Sequence, residues 1–422
     1  MRGPEPLGKA RWRVAGPGAR WPAAAAAMAL LVWGGGTSLR QAWAEHLVAS
    51  GRREEMRRAL ELVPGRAEFY LAMADIAERA GEDPVPWLRQ AALVSPADAS
   101  IRIHLGLRQE LAGRVAEAEG ELIEAARLSR KYLPRWTLAN FYYRQGRSEA
   151  FWRWAQEALA VSYGDRRPLF ELCWRLRPEA DFLLERVLPP RPAVLSDFSW
   201  FLLDQGELEA AGRLLAELVD TAPAADRERL LDAAERLLEA GAEQAAARLW
   251  NGLARRGLLP YPPLAVAGGP LVTNGDFSVW TTGRGFDWKI PRVEGVFVAP
   301  GPRPGWRISL NGRQPERCEL LRQTLVVESG RLYRIECRYR AEFKGFAGGE
   351  PTGLRWRLRL PDGRLLGESS PLAAGGGREI LEFKTDRSGA TVLALVYERA
   401  PGRVRPEGFV ELEAVQAASA IP

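Results

Sequence analysis

The chain has 422 residues, of which 46% are apolar and 27% charged, with a formal net charge of +6. That length exceeds one ordinary core, so two or three domains are expected, and the composition is globular, not disordered. The positive charge is almost all arginine, with lysine only at 9, 131, 289, 344 and 384, and it forms no lysine-rich tract, so nucleic acid is not an expected partner.

The chain opens with a basic flank (Arg2, Lys9, Arg11, Arg13, Arg20) followed by 19 uncharged residues, 21–39. That run is close to the ~20 residues a helix needs to cross a bilayer. The charge asymmetry predicts a cytoplasmic tail at 1–20, a single transmembrane anchor at 21–39 and the remainder translocated. The alternative is a cleaved signal sequence, because Ala42-Trp43-Ala44 fits a cleavage site and would leave a protein secreted after Ala44. Either reading puts the bulk outside the cytoplasm. The first corresponds to an inner-membrane, single-pass protein facing the periplasm.

From 40 to 258 the text repeats. Glycines at 51, 81, 113, 146, 206 and 241 recur at steps of 30, 32, 33, 60 and 35 residues, the long step hiding one degenerate unit. A glycine every ~34 residues between amphipathic helices predicts a solenoid of helical hairpins. Leu71-Ala72, Leu88, Ala91 and Pro96, then Leu105-Gly106, Ala118, Leu122 and Ala125, fall at the spacing of the tetratricopeptide repeat, which the region resembles. Small residues there let two helices approach while a large one fills the hole. Residues 165–195 depart most from the pattern and read as a distorted hairpin. Aromatic residues are frequent here, most of them at core spacing. Phe151, Trp152 and Trp154 cannot all face one way, so Trp136, Tyr143, Trp152 and Trp154 are candidate contacts for a protein partner.

A Pro-rich linker at 259–270 is expected to be semi-rigid. After it, alternation and polar turns predict strands at 294–299, 305–310, 318–328, 331–343, 354–360, 379–385, 390–398 and 408–416, a β-sandwich. The stretch 271–280 (L-V-T-N-G-D-F-S-V-W) reads as a further strand, an Asn-Gly turn and an aromatic anchor. With Leu321–Arg340 and Gly408–Val415, it resembles the jelly-roll carbohydrate-binding modules of the galactose-binding-like group. That resemblance covers about the last third of the chain and implies a jelly roll at 271–418 with a glycan as ligand.

Glycan sites stack sugar rings on exposed aromatics and bind hydroxyls with polar side chains. The candidates are Trp280, Arg284, Phe286, Asp287, Trp288 and Trp306, with 283–291 as the binding loop because large apolar residues in a Gly-rich connection need a reason. Plugging the end of the sandwich is an equal reading for Trp288. Arginines 334, 338 and 340, with 355, 357 and 359, on outer strand faces would suit an acidic polysaccharide, and a solvated face explains them as well. A structural calcium is doubtful, since Ser278 and the spaced Glu411 and Glu413 stand where the resembled modules have acidic ligands. Cys318 and Cys337 allow a disulfide after export, although alternation with Tyr333, Ile335 and Tyr339 puts Cys337 on a buried face.

Two histidines and three cysteines without C-x-x-C spacing assemble no metal site or triad. Glu117, Glu119, Glu121 and Glu124 are at the spacing of a solvated helix surface, and Gly375–Gly377 has no phosphate-binding lysine. The expectation is a non-catalytic, cofactor-free bacterial envelope scaffold serving surface-polysaccharide biosynthesis or export. Its solenoid would hold proteins of that machinery and its jelly roll a polysaccharide. The alternative is a protein-assembly factor whose β-sandwich binds no sugar.

Overall fold

The computed structural model describes residues 17–264 and 270–420, and side chains from 24 and up to 419. The tail expected at 1–20 lies outside the described residues as far as 16, as does the linker between 265 and 269. The chain forms two compact units, Met1–Tyr163 and Gly164–Pro422.

The first unit is helical: α1 (Pro17–Ala49), α2 (Arg53–Leu62), α3 (Ala67–Arg79), α4 (Val85–Val94), α5 (Ala99–Leu111), α6 (Val115–Leu128), α7 (Tyr132–Arg144) and α8 (Ser148–Ala160). They pack as consecutive hairpins. Gly51, Gly81, Gly113 and Gly146 sit between the two helices of each, all with φ between 67° and 75°. A side chain is strained in that left-handed conformation, which is why the repeat shows itself as a glycine period. Small residues carry the close approaches, as expected. A Cβ added at Gly106 would lie 2.8 Å from Leu122, and Ala118, Leu122 and Ala125 are wholly buried. The first helix runs unbroken through the 39/40 boundary expected between anchor and repeats. Among the described residues no helix is long and apolar enough to cross a membrane. The cause is composition, since Ala23–Ala27 and Gly34–Gly36 dilute the Met28–Trp33 run.

The second unit begins with α9 (Arg167–Leu176), α10 (Ala180–Arg186), α11 (Pro192–Gln205), α12 (Leu208–Leu218), α13 (Arg227–Glu239) and α14 (Glu243–Arg255). Gly206 and Gly241 again turn the chain between paired helices, with φ of 83° and 81°. The departing segment is the short α9–α10 pair, joined through Arg177-Pro178-Glu179 without a glycine. The division between the units falls at its start, inside the region 40–258 and not at the linker.

Among the described residues nine strands follow: β1 (Val296–Pro300), β2 (Trp306–Asn311), β3 (Arg317–Val327), β4 (Leu332–Phe343), β5 (Leu354–Arg359), β6 (Leu365–Glu368), β7 (Gly377–Lys384), β8 (Gly389–Glu398) and β9 (Glu407–Ala420). They form two antiparallel sheets, ordered β1-β2-β9-β4-β7 and β3-β8-β5-β6. Alternating residues of both sheets fill one core containing Trp288, Trp306, Tyr333, Trp356 and Tyr397. Cys337 is buried in that core, and it and Cys318 are free thiols on strands of different sheets.

The stretch 271–276 is bends and turns, not the expected strand. Asn274 takes the positive φ (52°), whereas Gly275 serves close approach. Its amide oxygen accepts from Val415 N at 2.6 Å, and a Cβ on it would stand 2.2 Å from the Val415 carbonyl oxygen.

Candidate functional site

The loop expected to hold sugar is a joint. Phe286 is 1% exposed and packs edge-on against Trp250 of α14, centroids 5.9 Å apart. Tyr261 stacks on Trp250 as well, at 6.2 Å. Gly285 lies so close beneath this indole that a Cβ would meet it at 2.6 Å. Burying the two large rings contributes about 1.5–3 kcal/mol each.

The polar groups of the loop are equally engaged. The fully buried Asp287 carboxylate accepts from Tyr261 Oη (2.7 Å), Thr282 N (2.7 Å), Thr282 Oγ1 (3.0 Å) and Trp288 N (2.8 Å). Burial first, and then the Asp287 charge, push the Tyr261 phenol well above its ordinary range. Arg284 meets Glu228 at 2.9 Å and Asp232 at 3.2 Å on α13. Gly285 N donates to Glu235 Oε2 at 2.6 Å, and Lys289 pairs with the same carboxylate. Asn251 clamps the Leu264 backbone through both amide atoms, at 2.7 and 2.6 Å, so this part of the linker is pinned to α14.

The remaining sugar-stacking candidates divide. Trp288 and Trp306 are buried, Trp288 donating its indole N–H to Asn274 O at 3.1 Å. With Phe286, they are too buried to present a face to a sugar, Trp288 and Trp306 lying in the sandwich core and Phe286 packing on Trp250. Trp280 alone is exposed (47%), leaning on Trp306 at 5.0 Å. Two of the arginines expected to face an acidic polymer are also partnered. Arg355 and Arg357 both pair with Glu368, and Arg357 is buried and reaches Glu398 as well. Glu411, weighed as a calcium ligand, is held by Arg307 at 2.5 Å.

Two grooves run along the first helices of successive hairpins. In the second unit, Trp200 of α11 sits between two ion-pair rungs. Asp197 meets Arg166 (2.5 Å) and Arg229 (3.6 Å), while Asp204 meets Arg167 (2.7 Å) and Arg236 (2.8 Å). Hydrogen bonds from Arg236 and Arg167 hold the Asp204 carboxyl below the usual carboxylate range. Arg229 and Arg236 also stack on the Trp200 ring, 5.1 and 5.5 Å from its centroid. With Asp165 and Asp226 at the rim of the adjoining hollows, positive and negative charges balance here.

The first unit has the larger groove, about 970 Å³, lined by α3, α5 and the end of α7 with Pro84 and Leu88 beside them. Leu71, Leu107 and Leu111 supply apolar surface, and Leu111 is 77% exposed. Acidic side chains predominate, since Glu68, Asp75, Glu78 and Glu110 share the lining with Arg108, Arg144 and His104. Arg108 is taken by Glu78 at 2.6 Å and Arg144 by Glu110 at 2.7 Å, which leaves Asp75 without a lining arginine and Glu68 with only Arg66, outside the lining, at 3.4 Å.

Trp136, Tyr143, Trp152 and Trp154 are half-buried and none lines this groove. Trp136 stacks on Tyr132 at 6.1 Å, and Phe151 separates Tyr143 from Trp152. Leu71 and Leu88 were legible as repeat residues, but the groove acids and the α5 leucines went unnoticed because their signal is a helical spacing of ordinary residues. Glu68 and Asp75 are two turns apart on α3, and Leu107 and Leu111 one turn apart on α5.

No protein-family model matches the chain, and no curated protein matches its sequence. Solved structures that it resembles are helical-repeat proteins. They include YrrB, described as a TPR protein with an unusual peptide-binding site (13% identity, 50% of this chain and 94% of that one, TM-score 0.24). PilF of Pseudomonas aeruginosa (17%, 52% and 89%, 0.25) and the type IV pilus biogenesis factor PilW (17%, 52% and 93%, 0.25) are others. TM-scores this low carry no inference about function. The helical-repeat description stands on the glycine-turned hairpins themselves.

Proposed function

We propose that the protein is a non-catalytic scaffold that binds segments of partner proteins in its helical grooves, with the β-sandwich acting as a structural cap on the last hairpin. The observation that carries this reading is the packing of Gly285 and Phe286 on Trp250. It commits the loop best suited to a ligand to the chain's own α14, while the groove of the first unit remains open. A terminal repeat has an apolar face without a neighbour and needs a cover, which the sandwich loop supplies. This is the assembly-factor alternative in preference to the polysaccharide receptor.

Attachment to a membrane through α1 belongs to the same proposal. Met28, Leu30, Leu31, Val32 and Trp33 are each at least 63% exposed, and a basic flank precedes them. That flank favours a cytoplasmic N-terminus with the repeats and sandwich in the periplasm. A second reading, glycan capture by the sandwich, is favoured by Trp280 alone. Calorimetric titration of the full chain with neutral and acidic polysaccharides tests the choice. No heat is expected from either, and binding that disappears in Trp280→Ala would replace the scaffold reading with a glycan receptor.

A further inference from the structure

The groove of the first unit has a charge imbalance on an apolar floor, and that combination specifies its occupant. The two acids in excess, Glu68 and Asp75, lie seven residues apart on α3, a separation of about 10.5 Å along one helix face. Asp75 is exposed, and Glu68 meets only the neighbouring Arg66, at 3.4 Å. Across from them stand Leu107 and the strongly exposed Leu111 of α5, with Leu71 between on α3. A leucine left 77% exposed at the wall of a groove is a surface that a partner would cover.

We propose that this groove binds a basic, leucine-bearing extended segment of a partner protein. The inference rests on the scaffold reading and adds the chemistry of the partner. An extended segment in the polyproline conformation advances about 3.1 Å per residue and repeats its facing side every third residue. Cations at every third position therefore recur at about 9.3 Å, close to the Glu68–Asp75 spacing, while the apolar residues between them meet Leu107 and Leu111. Acidic polymers, including nucleic acid and uronate-containing polysaccharide, are repelled by the same carboxylates. The second unit's groove lacks the imbalance because each of Asp197 and Asp204 is bridged by two arginines.

The test is fluorescence anisotropy of the full chain with three labelled peptides. One carries Lys at every third position with Leu between, one replaces Lys by Glu, and one replaces Leu by Ser. The Lys/Leu peptide is expected to bind most tightly, to weaken as salt rises, and to lose about tenfold in affinity to Asp75→Lys. Leu111→Ser is expected to weaken it without changing the salt dependence. Glu149→Lys, on the exposed surface of α8, should leave binding intact, and circular dichroism checks that each variant folds. Equal or tighter binding of the Glu peptide, or indifference to both Asp75→Lys and Leu111→Ser, would overturn the assignment while leaving the scaffold reading in place. Tighter binding after removal of residues 1–20 would identify the chain's own basic tail as the occupant and overturn the partner assignment. Failure of all three peptides to bind would overturn the groove assignment and the scaffold reading together.

Discussion

The loop at 281–289 and the groove of α3 and α5 have opposite relations between residue type and availability. The loop is rich in the side chains that ligand sites use, and every one of them is taken by the chain itself. The groove contains ordinary glutamates, an aspartate and leucines, and part of that set has no internal partner. The difference teaches that aromatic content marks where a chain invests binding energy, without saying whether the counterpart is a ligand or another part of the same fold. Unmatched charge beside unmatched apolar surface is the better sign of an open site.

The comparison breaks most sharply at Trp250. Trp250→Ala removes the ring that Phe286, Tyr261 and Gly285 surround, and about 3–5 kcal/mol of stability should go with it. Denaturant unfolding followed by circular dichroism is expected to change from one transition for the second unit to two, with the sandwich uncoupled from its hairpin. A single transition with an unchanged midpoint would mean that the joint is incidental. The next effect in size is Gly285→Ala, which adds a Cβ against the same indole at a φ of +56° and should cost ~1–3 kcal/mol. Ser in place of Gly283, where nothing lies within 4 Å, meets only the backbone strain and should cost less.

A pH dependence sharpens the account of the sandwich core. Burial pushes the Cys337 thiol up to about 12. Below the unfolded value of ~8.5 the thiol is neutral in both states and stability is complete. Above it the unfolded chain releases a proton that the folded one keeps, so stability falls by ~1.4 kcal/mol per pH unit until the folded value is reached. Urea midpoints measured from pH 8 to 10 should decline, and Cys337→Ala should reduce that slope without abolishing it, since burial raises the Cys173 and Cys318 thiols too. The smallest effect is expected at Arg248→Ala, whose pairing with Glu209 is largely exposed and contributes about 0–1 kcal/mol.

Much of the fold was legible in the sequence because its rules are local. The glycine period follows from a backbone conformation that side chains resist, and the strand alternation follows from the pleat. Residues 365–368 were missed because a four-residue strand containing Gly367 is too short to alternate. The Asn274-Gly275 turn was legible, but the strand expected before it is absent, and the contact of Gly275 with Val415, 140 residues away in the chain, left no local signal. Sequence reading found the loop residues but expected a sugar against them, since Trp250 and Glu235, which pack there, reach the loop only through the tertiary fold. The groove acids were hidden for a related reason. Their significance depends on which arginines they fail to meet.

Hydrogen–deuterium exchange of the full chain, alone and with the Lys/Leu peptide, tests this contrast most directly. Residues 281–289 should exchange as slowly as the sandwich strands in both conditions, while α3 and α5 slow only when the peptide is present. Fast exchange across 281–289 that slows on adding a polysaccharide, with α3 and α5 unaffected by the peptide, would contradict the account and return the ligand site to the sandwich.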